Sequence, residues 1–300
     1  MALTLDNRKG LPYIASPEAQ STCHATKQHI MKGELDTAIS AAKKAGSLAL
    51  KSFGSLNQTE IQPKDYKDFV TDVDKACENC IASEISRAFP QDSMLCEEGY
   101  VTSGSSGRQW IVDPLDGTLN FIHSFPVFSI SIALSGSDGD LMTGVVYQPV
   151  LDELFTAEKG KGAFLNGNPI RVSSRLDPEH FLIATGLPFK EYHYLDAYVS
   201  MLREVIHGSA GIRRAGSAAI DLAYTACGRF DAFWEYKLFP WDYSAGVLLV
   251  REAGGIVTGF NGDSAIGNHH SIIAGTGATH PQLLDMARKH FREHLQMNRE

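Results

Sequence analysis

Residues 110–120 read Trp-Ile-Val-Asp-Pro-Leu-Asp-Gly-Thr-Leu-Asn, an apolar run followed by two aspartates, a glycine and a threonine. The apolar residues 110–112 predict a strand that ends at Asp113, and Asp116 follows three residues later. Pro114 stiffens the step between them because its ring fixes φ. Two carboxylates then leave one strand end, and oxygen ligands in fixed geometry are what Mg2+ prefers. The stretch therefore predicts a site for a hard divalent cation.

The second part of the stretch predicts an anion site beside the cation site. Gly117 lets a backbone pass close to a ligand, and a helix that starts near Thr118 would offer free N–H groups to a phosphate. A strand, a proline turn and a capping aspartate would give the same residues without any ligand. Acidic partners elsewhere in the chain favour the ligand site.

Length and composition are those of an ordinary globular protein. The chain has 300 residues, 43% of them apolar and 21% charged, which allows one large or two small domains. The formal net charge is −8, which argues against nucleic acid as a partner, because such binding needs a basic stripe. No run reaches the roughly 18 apolar residues that span a bilayer, so no membrane partner is expected.

Five scattered cysteines, at positions 23, 77, 80, 96 and 227, do not read as a disulfide framework. Cys77 and Cys80 form a C-x-x-C inside a helical pattern, but no second pair supports a metal or redox site. A reducing, cytoplasmic compartment is the simplest fit.

The hydrophobic pattern separates an extension from one larger unit. Residues 1–30 are polar and irregular and predict a flexible N-terminal extension. Residues 31–300 predict a single compact catalytic unit, with an α+β half over 31–180 and an α/β half over 181–300. The first half contains most of the acidic motifs, and a cleft between the halves is expected to hold the site.

Local periodicity predicts the individual elements. Helices are predicted over 35–53, 72–89, 195–206, 217–227 and 241–253, and from about 281. Strands are predicted over 110–112, 127–134, 141–147, 153–157, 180–184, 212–214, 230–234, 256–258 and 271–274, and 94–96 is a short apolar segment. Asn166-Gly167 predicts a tight hairpin.

A second acidic segment, Asp-Phe-Val-Thr-Asp-Val-Asp at 68–74, precedes a predicted helix. Thr71 with Asp74 three residues later matches a capping box. Asp74 could equally face the cleft from the helix start, and the residues alone leave both interpretations open.

Two further acidic segments are equally ambiguous when each is taken alone. Glu97-Glu98 follow a short apolar segment and would by themselves be a solvated loop pair. Asp242, in Trp-Asp-Tyr-Ser-Ala-Gly at 241–246, could simply cap the helix that follows.

The segments become informative when they are considered together. If Glu97, Asp113, Asp116 and Asp242 converged without a cation, two charges about 4 Å apart would cost roughly 4 kcal/mol at an effective dielectric of about 20. Such a group needs a divalent metal or shifted protonation. The same carboxylates can hold two metals about 4 Å apart around a displacement at phosphorus.

In combination and in this order, the motifs resemble the signatures of the inositol monophosphatase family, in particular the bacterial type. The matching residues are Glu97-Glu98, 113–121 and 241–246, with 68–74 as the upstream motif and 216–219 as the substrate-side motif. The resemblance covers about 34–275. It implies a layered αβαβα sandwich of the inositol monophosphatase and sugar phosphatase type, combining α+β and α/β features, and a homodimer.

The resemblance also implies a cofactor, Mg2+, with two or three ions, and Li+ as an inhibitor. Glu97, Asp113 and the Leu115 carbonyl would hold the first metal. Asp113, Asp116 and Asp242 would hold the second, and a third, weaker ion would lie near Glu97.

Catalytic and substrate roles follow from the same resemblance. Asp74 and Thr118 would form a hydrogen-bonded pair that orients and deprotonates the attacking water, with Glu97 assisting. The N–H groups of Gly117 and Thr118 would hold phosphate oxygens. The residues that would face the alcohol part of the substrate are Asp116, Gly216, Ala218 and Glu235.

The substrate is expected to be a small phosphorylated polyol, with inositol monophosphate favoured. The 118–121 ending looks like the inositol branch, and the Glu235 carboxylate suits vicinal hydroxyls rather than a second phosphate. Arg213 and Arg214 could instead bind a second phosphate, pin a dimer interface or pair with a carboxylate. The alternatives are fructose-1,6-bisphosphate, NADP and nucleotide bisphosphates. Lys64 could approach the metal site through water or be a solvated charge.

Two rival functional classes and two other residue sets were also considered. The rivals are a non-catalytic regulatory module on the same fold and a Ca2+-binding structural module. His269-His270 is not expected to be a ligand pair, because adjacent side chains on a strand point to opposite faces. Trp234 and Trp241 are expected to be core and cleft-wall aromatics.

Overall fold

Two long helices, α1 (Glu34–Ser52) and α2 (Asp72–Ala88), begin the described part of the chain. The structure, a computed structural model, describes residues 33–56, 61–65, 68–189, 192–264 and 270–297, so the extension predicted for 1–30 lies outside it. A hairpin of β1 (Ile61–Asp65) and β2 (Asp68–Thr71) connects the two helices. All described residues belong to one compact unit.

Small side chains let α1 lie close to its neighbours. Its buried face is mostly alanine, at positions 38, 41, 42, 45 and 49. Gly46 contributes to the same face, since a Cβ there would lie 2.6 Å from a ring carbon of Tyr147. This close approach explains a glycine inside a helix, which otherwise weakens it.

The first sheet has eight strands in the order β10-β9-β8-β7-β6-β5-β3-β4. Their bounds are β3 Ser93–Cys96, β4 Val101–Thr102, β5 Gln109–Asp116, β6 Ser129–Ser135, β7 Leu141–Gln148, β8 Glu153–Glu158, β9 Gly162–Leu165 and β10 Asn168–Ile170. All neighbours pair antiparallel except β3 and β5, which run parallel. The short helix α3 (Thr118–Ile122) follows β5. Asn166 and Gly167, both at positive φ, turn the predicted hairpin between β9 and β10.

The second sheet has five strands in the order β12-β11-β13-β15-β14. Its elements are β11 Leu182–Thr185, α4 Leu195–His207, β12 Gly211–Arg213, α5 Ala218–Ala226, β13 Ala232–Tyr236, α6 Pro240–Glu252, β14 Ile256–Thr258, β15 Ser271–Gly275, α7 His280–His290 and α8 Arg292–Met297. β11 runs parallel to β12 and β13, whereas β15 runs antiparallel to β13 and β14. The second half is therefore mixed rather than purely parallel.

Three clusters of buried residues show how the layers stack. The first joins α1 and α2 to one face of the eight-stranded sheet. The second places α5 and α6 between the two sheets, and the third covers the outer face of the five-stranded sheet with α4 and α7. The order is helices, sheet, helices, sheet, helices, which confirms the predicted layered αβαβα sandwich.

The predicted elements are present, with small shifts at their ends. The strand expected from His180 begins at Leu182, because Pro178–His180 forms a 3-10 turn capped by the Asp177 side chain. The helix expected from Ser217 begins one residue later, since Ser217 is its N-cap. The glycine at position 144 lets β7 approach α6, because a Cβ there would lie 2.9 Å from the Ala245 carbonyl.

Candidate active site

The parallel pair β3 and β5 brings two predicted metal ligands to the same sheet edge. Cys96 lies opposite Val112, so Glu97, just beyond the end of β3, lies beside Asp113, which the structure places within β5 rather than at the strand end that the sequence predicted. The Glu97 N–H also donates to the Val112 carbonyl at 3.1 Å. The only parallel pairing in the described part of this sheet is thus the one that aligns these two side chains.

A bulge in β5 then redirects the chain between Asp113 and Asp116. Asp113 lies opposite Ser131 and Asp116 opposite Ser129, so β5 has one extra residue. The Leu115 N–H donates to Asp113 Oδ1 at 2.9 Å, which fixes that carboxylate.

Asp74 serves both as a helix cap and as a partner of Thr118. Its Oδ2 accepts the Thr71 N–H at 2.9 Å, and the Thr71 hydroxyl caps the helix in return. Its Oδ1 accepts the Thr118 hydroxyl at 2.9 Å, and that hydroxyl also lies 3.1 Å from the Leu115 carbonyl. The capping box and the cleft-facing arrangement therefore coexist, because the two carboxylate oxygens divide between them.

Asp116 links the first sheet to the start of α5. Its Oδ2 accepts the Ser217 hydroxyl at 2.6 Å and the Ala219 N–H at 2.8 Å. The Asn120 amide spans the same gap, donating to the Val127 carbonyl at 2.7 Å and the Ala215 carbonyl at 2.9 Å. Except for the bond to Val127, these bonds join residues about a hundred positions apart in sequence.

Two glycines allow the backbones of the two motifs to approach each other. Gly117 has φ +94°, and a Cβ there would lie 3.2 Å from the Gly216 carbonyl and 3.0 Å from the Val127 carbonyl. Gly216 has φ +90°, and its Cβ position is filled by the side chains of Arg214 and Asn120. Any other residue would be strained at either position and would push the motifs apart.

Asp242 is the third residue of α6 and is anchored in the same manner as Asp74. Its Oδ2 accepts the N–H of the N-cap residue Phe239 at 2.7 Å, so it supports the helix start from inside the first turn rather than from the cap position that the sequence allowed. Pro240 occupies the first turn of α6, where its missing N–H costs no hydrogen bond.

Burial raises the pKa of all four predicted metal-binding carboxyls, Glu97, Asp113, Asp116 and Asp242, hereafter the carboxylate cluster, and repulsion from other members raises it further at Glu97, Asp113 and Asp242. Desolvation is the largest cause at Asp113, and the charges of the other three members raise its pKa further. Desolvation raises the pKa of Glu97 to about 7, although Lys64 lowers it. A hydrogen bond between Glu97 and Asp113 lowers the pKa of Glu97 and raises the pKa of Asp113, as expected if the two carboxyls share a proton.

The remaining two members of the cluster respond to the same field. Desolvation raises the pKa of Asp116 to about 6, while the bonds from Ser217 and from the α5 backbone lower it. Desolvation also raises the pKa of Asp242, followed by the charges of Glu97 and Asp116. The four carboxyls therefore interact electrostatically within one region of the described structure.

The donor chemistry of the cluster fits Mg2+. The cluster contains only carboxylate oxygens, and the Leu115 carbonyl lies beside it, which is the ligand set of a hard cation. Within the described residues, no three His, Cys, Asp or Glu side chains are already gathered closely enough to enclose an ion. The predicted ligand assignments therefore stay predictions.

Glu235 and Arg214 form a second wall of the site, within electrostatic reach of Asp116. Glu235 lies over Gly186, where a Cβ would fall 1.8 Å from its Oε1. Desolvation raises the pKa of Glu235 to about 7, the Arg214 charge lowers it and Asp116 raises it. Arg214 thus faces carboxylates, one of its predicted alternatives, and its guanidinium also lies 5.2 Å from the Phe189 ring centroid. Ala218, at the start of α5, is buried.

Several residues at the site had no clear signal in the sequence. Ser217 belongs to a quoted motif, but its bond to Asp116 was not predicted. Asp221 on α5 is fully buried, and its Oδ1 has no hydrogen-bond partner among the described residues.

Lys64 lies 3.1 Å from Glu98 Oε1 and 3.2 Å from the Glu97 carbonyl, so it contacts the acidic turn directly.

The other singled-out residues have structural places. Trp234 is fully buried, and Trp241 is half-buried and stacked on Phe239. His270 Nδ1 lies 3.0 Å from the Leu238 carbonyl, and His269 lies outside the described residues. The described cysteines, at 77, 80, 96 and 227, are free thiols. In the described residues, no helix combines the length and apolarity that a bilayer crossing requires.

Comparison with known proteins places these motifs in a family context. The model of the inositol monophosphatase family matches residues 31–296. A Pseudomonas aeruginosa protein named Nus factor SuhB is 44% identical over 266 residues, covering 87% of this chain and 98% of that protein. An inositol-1-monophosphatase from Mesorhizobium japonicum is 41% identical over 256 residues, covering 85% of this chain and 96% of that protein.

A solved structure gives the corresponding comparison of folds. An IMPase from Thermotoga maritima superposes with a TM-score of 0.78 at 36% identity, covering 86% of this chain and 98% of that one. The shared architecture therefore extends over nearly the whole of the compared chain.

Removing one charge from the carboxylate cluster should stabilise the metal-free protein above neutral pH. A carboxyl whose folded pKa exceeds its unfolded value binds more protons in the native state, so stability falls as pH rises between the two values. For Asp116 and Glu97 this window runs from about 4 to about 7. In EDTA, Asp113→Asn should exceed the wild type in unfolding free energy at pH 7.5 by about 1 kcal/mol or more, and by less at pH 5.

Denaturant unfolding at both pH values measures this difference. Asn retains an acceptor for the Leu115 N–H, so the anchoring bond is preserved. Asp285→Asn, on the exposed face of α7, is the matched control and should follow the wild type at both pH values. An Asp113→Asn variant no more stable than the wild type at pH 7.5 would contradict the proposed repulsion.

Proposed function

Because the chain belongs to the inositol monophosphatase family, we propose that it is a Mg2+-dependent phosphomonoesterase that hydrolyses inositol monophosphate to inositol and phosphate by attack of a water molecule. One observation carries the proposal beyond the family relationship. In the Asp74–Thr118 pair, a proton-accepting arrangement, the hydroxyl oxygen of Thr118 lies 3.1 Å from the carbonyl oxygen of Leu115, and the N–H of Leu115 binds Asp113 of the carboxylate cluster.

The carboxylate cluster would hold the metal ions. In this proposal, Glu97, Asp113 and the Leu115 carbonyl form one ion site, and Asp113, Asp116 and Asp242 form a second. A third ion would lie near Glu97. When bound, divalent ions supply positive charge to the phosphoryl group and lower the pKa of water. The raised pKa values of the cluster support this assignment, since bound cations would remove the cost of ionising these groups.

Asp74 and Thr118 would orient the attacking water and take up its proton. Thr118 donates its hydroxyl hydrogen toward Asp74, which leaves the threonine oxygen able to accept a hydrogen bond from water. Asp74 is held by Thr71 on its other oxygen, so the pair has little freedom to turn. Desolvation raises the pKa of Asp74, which makes it a better proton acceptor. Glu97 would assist from the other side of the cluster.

Phosphate and alcohol would bind at the junction of the two glycine turns. The N–H groups of Gly117 and Thr118 would donate to phosphate oxygens, and the positive φ of Gly117 orients this turn. The side that begins with Gly216 and Ala218 would face the alcohol. Asp116 would accept one hydroxyl there, and Glu235, on the second wall, would accept another.

The proposed chemistry predicts a sharp difference between two changes at one position. Thr118→Ala removes the hydroxyl that Asp74 holds, and phosphate release from inositol-1-phosphate with Mg2+ should fall by about 10²–10⁴-fold in kcat. Thr118→Ser keeps the hydroxyl and is the matched control, with activity close to the wild type. Asp113→Asn should lose about 10²-fold or more while remaining folded. Li+ should inhibit the wild type.

The same assay also tests the alternative that the protein is a non-catalytic regulatory module. One relative, 44% identical to this chain, is named Nus factor SuhB rather than a phosphatase. A folded wild type that releases no phosphate from a phosphomonoester panel with Mg2+ would favour a non-catalytic regulatory module. Equal activity of Thr118→Ala and Thr118→Ser would remove the assigned role of the hydroxyl.

Within the family, a monophosphate of a polyol is the substrate that the wall around Glu235 fits best. The alternatives are fructose-1,6-bisphosphate, NADP and nucleotide bisphosphates, all of which bear additional phosphate. A half-buried carboxylate accepts hydroxyl hydrogens but repels a second phosphate. Arg214 is the group that could accept one instead, but its charge is already directed toward Glu235 and Asp116.

Substrate ranking should therefore depend on the charge of Glu235. For the wild type, kcat/KM for inositol-1-phosphate should exceed that for fructose-1,6-bisphosphate. Glu235→Gln keeps the size of the side chain but removes its charge, so the ratio should fall by about tenfold, equivalent to about 1.4 kcal/mol. Because the pKa of Glu235 is raised to about 7, the wild-type ratio should also increase from pH 6 to pH 8. A wild type that prefers the bisphosphate would overturn the assignment.

We further propose a homodimer in the cytoplasm. The exposed face of α4 carries Leu195, Val199 and Ile206, at helical spacing that puts them in one stripe. An exposed apolar stripe of this kind supports a partner surface. The free thiols support a reducing compartment, and net charge −8 does not favour nucleic acid as a partner.

A single charge within this stripe should convert the dimer to a monomer. Val199→Glu buries an unpaired carboxylate if α4 lies in the interface, which strongly disfavours association. Ser200→Glu adds the same charge to the next, exposed position on a different side of α4 and should leave the dimer intact. Sedimentation velocity measures both variants. A wild-type monomer, or a Val199→Glu dimer of unchanged affinity, would refute this surface.

A further inference from the structure

The second buried carboxylate of α2, Glu78, lies one helical turn after Asp74 and has no assigned role. Its side chain is only 6% exposed. Both of its oxygens accept backbone hydrogen bonds: Oε2 from the Glu98 N–H at 2.8 Å and Oε1 from the Tyr100 N–H at 3.1 Å. A buried carboxylate with both oxygens used in this way is a structural clamp on the segment that supplies the donors.

The clamped segment is the turn that presents Glu97. The Glu97 N–H is held by β5 at the Val112 carbonyl, and the next N–H, that of Glu98, goes to Glu78. Gly99, with φ +106°, closes the turn. Lys64 reaches the same turn from its more exposed side, at the Glu97 carbonyl.

The turn needs such support because Glu97 has the longest side chain in the cluster and lies on a turn rather than within a strand or helix. Asp113 lies within a central strand and is 1% exposed, whereas Glu97 lies just beyond a strand end and its side chain is 24% exposed. A longer side chain on a turn loses more conformational entropy when it binds an ion. Fixing its backbone beforehand reduces that cost.

We propose that Glu78 is a positioning residue that holds Glu97 in register with Asp74 and Asp113 and thereby sets the affinity of the site for divalent cations. The inference rests on the proposed function for the identity of the metal ligands. Its physical basis is that α2 carries Asp74 and Glu78 one turn apart, so one rigid helix places both the proton-accepting pair and the turn that bears Glu97.

Replacing the Glu78 carboxylate by an amide of the same size removes one of the two hydrogen bonds that hold the turn. In Glu78→Gln, one oxygen can still accept an N–H, but the amide nitrogen must face the other N–H donor. The turn then loses one bond and gains a repulsive contact, while the helix and its core packing are unchanged. Altering a residue that supports a metal ligand without binding the metal typically lowers the metal affinity 10–100-fold.

The experiment is calorimetric titration of the metal-stripped, full-length protein with Mg2+ alone. Glu78→Gln should bind Mg2+ about 10–100-fold more weakly than the wild type. The matched control is Glu84→Gln, on the same helix, whose carboxylate contacts Lys44 and Arg87 but not the turn. It should bind Mg2+ as the wild type does. In turnover assays, Glu78→Gln should need more Mg2+ for half-maximal rate, with KM for substrate unchanged at saturating Mg2+.

The outcomes separate this inference from the proposed function. If the wild type binds Mg2+ and Glu78→Gln binds it equally well, Glu78 is not a positioning residue, whether or not phosphate is released. If the wild type neither binds Mg2+ nor releases phosphate, the proposed function fails and the inference falls with it. Glu78→Asp, which keeps the charge on a shorter side chain, covers the case in which Glu78→Gln does not fold, and it should weaken Mg2+ binding in the same direction.

Discussion

Repulsion among buried carboxylates is the constraint on which the rest of this structure depends. Glu97, Asp113, Asp116 and Asp242 come from three separate places in the chain, and the charges of the other three members raise the pKa of Asp113. A fold that gathers such groups must hold them against their own charge. The structure does so with backbone N–H groups, which bind one oxygen of Asp113, Asp116 and Asp242.

Because backbone N–H groups bind only one oxygen of these carboxylates, a residue can both cap a helix and belong to the site, which explains why the local sequence patterns allowed both interpretations. Asp74 completes a capping box through Oδ2 and meets Thr118 through Oδ1. Asp242 accepts the Phe239 N–H through Oδ2, as a capping residue does at a helix start. Capping and site formation are therefore not competing explanations in this protein, since the cap is the means by which each carboxylate is held in orientation.

At the site, a small set of polar contacts centred on Asp116 joins the two halves of the chain, whose main contact is the apolar cluster around α5 and α6. Ser217 and Ala219 donate to Asp116, while Asn120 donates across the same gap. The glycines at 117 and 216 let the backbones approach closely enough for these bonds to form. The αβαβα layering supplies the frame, because α5 and α6 lie between the sheets and begin at this junction.

The sequence by itself determined the element types, the layered fold and the identity of the acidic residues. Helical and strand periodicity are local, so helices such as α2 and hairpins such as that at Asn166-Gly167 could be predicted from neighbouring residues alone. The motifs also identified Asp74, Thr118 and the carboxylate cluster as a set. The mixed direction of the second sheet was not predicted, because strand direction depends on how distant segments are connected and paired.

Only the tertiary structure decided which oxygen of each carboxylate is anchored and what surrounds it. The bond from Ser217 to Asp116, the space that Gly186 leaves for Glu235 and the hold of Glu78 on the turn after β3 all join segments distant in sequence. Such contacts depend on distances between elements, which no local pattern encodes. The physical reason is that burial and charge act through space, so their effect at one residue is set by whichever segments the fold packs around it.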